Sequence, residues 1–192
     1  MRSRRLFSMR IRPTSRRRLP HLYPEGGWLF VTWHLKGSLP KALYPPPGKP
    51  SAGKAFVWMD RYLDTTRVGP MFLRYPEVAR LMVAALKRGH ERESYDLRAF
   101  VVMANHVHVL LRPNQAANRV LQWLKGTTAR EANQILSRTG QPFWQRESYD
   151  HWVRSERELE RIVAYIENNP VKAGRVTESS EYPWSNAGSR AD

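Results

Sequence analysis

The sequence predicts an α+β domain, and three observations carry that prediction. Two apolar, β-branched runs, Tyr95 to Met103 and His106 to Arg112, adjoin across the short Ala104-Asn105 connection, as strands of one sheet do. Three further stretches space their apolar residues as helices do. A chain of 192 residues that is 41% apolar is also long enough to bury a core. The expected organisation is a basic flexible arm over residues 1–20 and a single domain over 21–192, with a Pro-rich loop at about 40–55.

Composition narrows the partners. Thirty-two basic residues against 17 acidic ones give a formal charge of +15, and such a surface attracts polyanions, nucleic acid first and a membrane surface second. The absence of cysteine excludes disulfides, Cys-based zinc sites and thiol nucleophiles. No apolar run approaches the roughly 20 residues that span a bilayer, so no membrane partner is expected. The Arg-rich start lacks a signal peptide's apolar segment before Arg16, which makes the expected location cytoplasmic, on the nucleoid if DNA is the partner.

In chain order, residues 1–20 hold eight arginines and read as a solvated arm able to grip phosphates. Trp28 to Leu35 is rich in β-branched and aromatic residues and forms a first strand, in which His34 is a packed or edge residue rather than a ligand. Leu43 to Lys54 is a loop by composition. Gly48 to Lys54 has the spacing of a phosphate-binding loop. Ala55 stands where the magnesium-binding hydroxyl belongs, however, and a triple proline precedes it, so no nucleotide cofactor is expected. Pro76 opens a helix carrying Val78, Leu81, Met82, Ala85 and Leu86, which Gly89 would end.

In the strand that follows Asn105, a period of two puts His106 and His108 on one face and Val107, Val109 and Leu111 on the other. Two such imidazoles can hold a divalent metal if a third ligand arrives from elsewhere. A second helix, about Gln115 to Leu136, buries Val120, Leu121, Leu124, Thr128 and Ile135. Its Arg119, Lys125 and Arg130, together with Arg112, Arg146 and Arg154, are candidate phosphate contacts, although a solvated face would look the same. The aromatic segment from Gln141 to Arg154 can stack bases or dock on the sheet, and docking is favoured. Asp150 and His151 point to opposite faces of a strand, which argues against a relay.

Ser155 and Glu158 form a capping box that opens a third helix, with Leu159, Ile162, Val163 and Ile166 as its buried stripe. Tyr165 lies about 110° from the centre of that stripe, with its hydroxyl free to reach outward, and Asn169 follows one turn on. Pro170 stops the regular helix, and Tyr182 to Asn186 reads as a surface tail tucked by its aromatics.

These residues carry a resemblance. Phe30-Val31-Thr32-Trp33-His34-Leu35 with Gly37-Ser38-Leu39-Pro40, Met103-Ala104-Asn105-His106-Val107-His108, Phe143-Trp144-Gln145, Tyr149-Asp150-His151 and Tyr165 to Gly174 resemble the REP-associated tyrosine transposases. These are similar to the IS200/IS605-like single-tyrosine HUH transposases, and the likeness spans roughly residues 20–187. Ala104 departs from the family's proline. Asn169 stands where the IS200/IS605 branch has glutamine, as in the REP-associated branch. The resemblance assigns no role to the arm or the Pro-rich loop.

The resemblance implies a ferredoxin-like antiparallel sheet with helices packed on one face and a C-terminal helix bringing the catalytic tyrosine to a metal. It implies a transposase that cleaves and rejoins single-stranded DNA beside hairpins such as REP palindromes. Tyr165 would be the nucleophile, forming a 5′-phosphotyrosine, with Mg²⁺ or Mn²⁺ held by His106, His108 and Asn169. A monomer is favoured over a homodimer. The rival expectation is a hairpin-binding module that has lost cleavage; a small-molecule hydrolase would leave the charge unexplained.

Overall fold

Strand β1 (Leu29–His34) is buried at every residue, which is why its sequence shows no alternation of apolar and polar side chains. With β2 (Tyr95–Val102), β3 (His106–Pro113) and β4 (Tyr149–Trp152) it forms a sheet of order β2-β3-β1-β4, antiparallel at every pairing. The computed structural model describes residues 26–40 and 51–188. The expected arm and most of the expected Pro-rich loop lie outside them. Among the described residues there are four α-helices: α1 (Ala52–Thr65), α2 (Pro76–Glu91), α3 (Ala117–Ile135) and α4 (Glu156–Lys172). Helical crossovers between β1 and β2 and between β3 and β4, with this strand order, give the expected ferredoxin-like arrangement.

The two faces of the sheet have separate cores. Val31, Trp33, Val107 and Val109 meet Met82 and Leu86 of α2 and Leu121 and Leu124 of α3. Phe30, Val101 and Leu110 meet Phe56, Met59 and Leu63 of α1 and Leu159 and Ile166 of α4. The expectation of helices on one face, joined only by the tyrosine helix, is therefore corrected: α1, read as the end of a loop, starts at Ala52 and covers the histidine face. Ser51 caps it, its hydroxyl accepting from the Lys54 N–H, so the stretch with phosphate-loop spacing ends as a helix start.

Local differences have physical causes. A register shift between Leu97 and Ala99 of β2 restores the parity of Phe100 and Val102, which join Tyr95 and Leu97 on the α2–α3 face. Gly89 does not end α2. It is glycine because a Cβ there would collide with the ring of Tyr95, whose hydroxyl donates to Leu86 O at 2.8 Å. Ile135, expected to be buried, is exposed in the last turn of α3. Pro170 lies within α4, which continues to Lys172; so near the end of the helix a missing N–H forfeits little. Ser155 caps α4 as expected, but Glu158 does not reach back to it and instead accepts from the Arg154 N–H at 2.8 Å.

The aromatic segment docks. Phe143 and Trp144 are buried, the Trp144 indole donates to Thr128 Oγ1, and β4 pairs with β1. The tail from Tyr182 to Asn186 covers the free edge of β2: Val102 N–H donates to Trp184 O, and Phe100 N–H to Asn186 Oδ1.

Candidate metal centre and nucleophile

The period of β3 does what its sequence requires and turns His106 and His108 to one face, where both are fully buried. Each imidazole is held from behind. Asn105 Oδ1 can only accept, so the 2.7 Å contact with His106 Nδ1 places a proton there and leaves Nε2 of the neutral ring with a lone pair. Thr32 of β1, paired with His108 in the register, holds His108 Nδ1 at 2.7 Å. The two Nε2 atoms converge at 3.1 Å. Burial, and after it the neighbouring His108, lower the pKa of His106, which keeps the ring neutral.

α1 brings a carboxylate pair to this point. Asp60 Oδ1 lies 2.9 Å from His108 Nε2 and 3.9 Å from His106 Nε2, and Asp64 Oδ1 lies 3.6 Å from His106 Nε2. Burial alone would raise the pKa of Asp60, but the two imidazoles and the Tyr165 hydroxyl hold it down to about 2. Burial, then the charge of Asp60, push Asp64 up to about 7. From α4, Asn169 is fully buried with Nδ2 3.4 Å from His108 Nε2.

The residues suit a cation. Asp64 Oδ1 and Asn169 Oδ1 are buried without a hydrogen-bond partner, and Asp60 Oδ1 meets the His108 ring nitrogen at 2.9 Å. A buried polar atom left without a partner costs about 1–3 kcal/mol, which positive charge nearby offsets. Asp60, His106 and His108 offer ligand atoms that all lie within 4.8 Å of one another. Ligands about 2.1 Å from one ion stand about 3 to 4 Å apart, which matches the contacts measured here. Nitrogen and carboxylate donors together suit a divalent first-row metal.

Tyr165 comes to the same place from α4. Its hydroxyl donates to Asp60 Oδ2, so one carboxylate faces the imidazoles with one oxygen and the phenol with the other. The expected outward reach is corrected: α1 covers that border of α4, and the hydroxyl turns inward. Burial first, then the carboxylates of Asp60 and Asp64, raise the Tyr165 pKa above the ordinary phenol value. Phe30, Phe56 and His108 pack around the ring, and Lys172 Nζ lies 4.7 Å from its centroid.

Other expected residues stand apart. Arg112 pairs with Asp96 at 2.6 Å, and Lys125 donates to the carbonyls of Gln145 and Arg146. Arg119 and Arg130 are exposed on α3, across the sheet from Tyr165; Arg146 and Arg154 are exposed beside β4. His34 is buried in a bond with Ser38 Oγ, a packed residue as expected, and His151 pairs with Glu158 rather than Asp150. Sequence reasoning missed Asp60, Asp64, Thr32 and Lys172. The available signal was a Ser51 cap followed by aspartates at 60 and 64 among apolar residues.

A family model described as "Transposase IS200 like" matches residues 73–169, just over half of the chain. The chain belongs to the IS200-like transposase family. A REP-associated tyrosine transposase of Haemophilus influenzae is 27% identical over an alignment of 113 residues that covers 53% of this chain and 64% of that protein. The match thus spans less than two thirds of the relative. Among solved structures, a REP-associated tyrosine transposase bound to a REP hairpin superposes with a TM-score of 0.55 at 19% identity. That match covers 90% of this chain and 81% of the other, and it shows that the α+β fold is shared. Among the described residues, no helix of this transposase-family chain is long and apolar enough to cross a membrane.

Proposed function

We propose that the chain is a metal-dependent single-stranded DNA endonuclease and strand-transferase that acts at hairpin repeats through a 5′-phosphotyrosine on Tyr165. One observation carries the reading: Asp60 joins the Tyr165 hydroxyl to the histidine pair, so nucleophile and cation site share a residue. Family membership supports transposition chemistry, the hairpin held by the solved relative supports the substrate class, and the +15 charge suits a polyanion.

His106, His108, Asp60 and Asn169 would hold Mg²⁺ or Mn²⁺, the latter better suited to imidazole. When bound, the ion supplies positive charge to a phosphate oxygen. The chain does the rest. Thr32 and Asn105 fix the imidazoles, and Asp60 Oδ2 accepts the phenol's hydrogen bond and orients it, the phenolic proton leaving to solvent as the oxygen attacks. As the bond from Tyr165 Oη to phosphorus forms, the bond from phosphorus to the 3′-oxygen breaks, and that oxygen takes a proton from solvent. The phosphodiester's energy stays in the phosphotyrosine, so a 3′-hydroxyl can reverse the step without a nucleotide. Lys172, beside the ring, would put a cation near a phosphate bound at Tyr165.

Arg119, Arg130, Arg146 and Arg154 are proposed contacts to phosphates away from the cleaved bond. Arg112 and Lys125 would have to release internal partners to join them. One chain supplies every group of the site, which favours a working monomer.

The test is a single-stranded hairpin oligonucleotide mixed with purified protein and Mg²⁺ or Mn²⁺. A covalent adduct is expected on a denaturing gel, absent with EDTA and absent in Tyr165→Phe. An undiminished adduct in Tyr165→Phe would sink the reading. Tight binding with no adduct in the wild type would return the chain to a hairpin-binding module.

A further inference from the structure

The tail does more than cover the edge of β2. Edge protection needs only backbone pairing, which Val102 N–H to Trp184 O and Asn186 N–H to Phe100 O already supply. The Asn186 side chain adds a bridge that pairing does not require. Its Oδ1 accepts from Phe100 N–H at 2.7 Å, and its Nδ2 donates to Glu167 Oε1 of α4 at 2.5 Å. The turn that aims this amide is tightly closed. Ser185 is fully buried, donates to Tyr182 O and accepts from Gly188 N–H, and a Cβ on Gly188 would strike the Tyr182 carbonyl. Tyr182 in turn donates to Val102 O at 2.9 Å.

Glu167 stands two residues from Tyr165 and two from Asn169. Leu159, Ile166 and Pro170 mark the buried middle of α4, so that Tyr165 lies at one border of the buried face and Glu167 at the other, about 200° round the helix. Apolar packing of the middle is non-directional and resists lifting of the helix more than rolling. A polar tie at the far border fixes the roll. An atom about 6 Å from the axis moves about 2 Å when the helix rolls by about 20°, and a misplacement of about 1 Å can cost about 100-fold in rate. The bond from Tyr165 to Asp60 cannot hold the ring throughout, because the phenol loses its proton as it attacks.

We propose that Asn186 is a positioning residue, which clamps α4 through Glu167 and so fixes where Tyr165 Oη stands against the scissile phosphate. This rests on reading Tyr165 as the nucleophile. The experiment follows single-turnover adduct formation by the full chain on a hairpin oligonucleotide with Mn²⁺, with DNA affinity from anisotropy and folding from thermal melts. Asn186→Asp keeps the acceptor for Phe100 N–H but sets a carboxylate against Glu167. Its rate at saturating DNA is expected to fall at least about tenfold, with affinity within about threefold of wild type. Adding Glu167→Gln gives that carboxylate a donor again, and the double variant is expected to recover to within about threefold of the wild-type rate. Glu167→Ala cuts the tie from the helix side, leaves the turn intact and is expected to show the same loss; it serves if Asn186→Asp does not fold. A wild-type rate in Asn186→Asp, or in Glu167→Ala where that is the folded variant, would overturn the clamp. So would a loss that the double variant does not recover, or one matched by an equal loss of DNA affinity. These results leave Tyr165 as the nucleophile, whereas no adduct on the wild-type chain would defeat that reading and the clamp with it.

Discussion

Asn105 decides the protonation of its neighbour. It is buried, and its amide both accepts from His106 Nδ1 and donates to Leu63 O. Asn105→Ala should lower stability by about 1–3 kcal/mol in urea unfolding, because it orphans two buried groups. It should also weaken Mn²⁺ binding by about 10- to 100-fold, because the ring loses its tautomer lock. His34, at the end of β1, makes a separate prediction. Burial lowers its pKa from 6.5 to about 4. Between those values the unfolded chain holds a proton that the folded chain refuses, so stability is full above pH 6.5 and falls on acidification until about pH 4. The loss is of order 3 kcal/mol. Urea melts from pH 7.5 to 4 should show it, and His34→Asn should flatten the slope. An equal slope in that variant would assign the loss to other groups.

At the scale of elements, what was legible followed periodicity. α2, α3, α4, β2 and β3 declared themselves because their buried faces repeat cleanly, as in Val78, Met82 and Leu86 of α2 or Val107, Val109 and Leu111 of β3. α1 did not. A triple proline precedes it, Asp60 occupies a core-facing position, and Val57 is apolar yet 65% exposed, so its two faces blur. Half of the site was thereby hidden, since the histidines and Tyr165 sit in readable elements while Asp60 and Asp64 do not. The register shift in β2 was equally illegible, because it shows only when neighbouring strands are paired. Helix ends can be tested directly. Ser155→Ala should cost about 1 kcal/mol by removing the cap from the Glu158 N–H. Gly89→Ala should cost about 1–3 kcal/mol, because Tyr95 cannot yield without losing its bond to Leu86 O. Thermal melts of the two variants measure both.

The whole molecule places one basic chain around one small acidic centre. The chain carries a net charge of +15, while Asp60 and Asp64 are gathered inside against the histidines. Affinity for single-stranded DNA should therefore fall by at least about tenfold between 50 and 200 mM salt, and a flat response in fluorescence anisotropy would contradict the electrostatic reading. Tyr165 is the proposed nucleophile that would hold the cut strand. Mass spectrometry of a proteolytic digest after reaction with a hairpin oligonucleotide tests it most directly. A nucleotide mass is expected on the peptide containing Tyr165 and on no other; the same mass on a peptide carrying Tyr62 or Tyr149 would rule Tyr165 out.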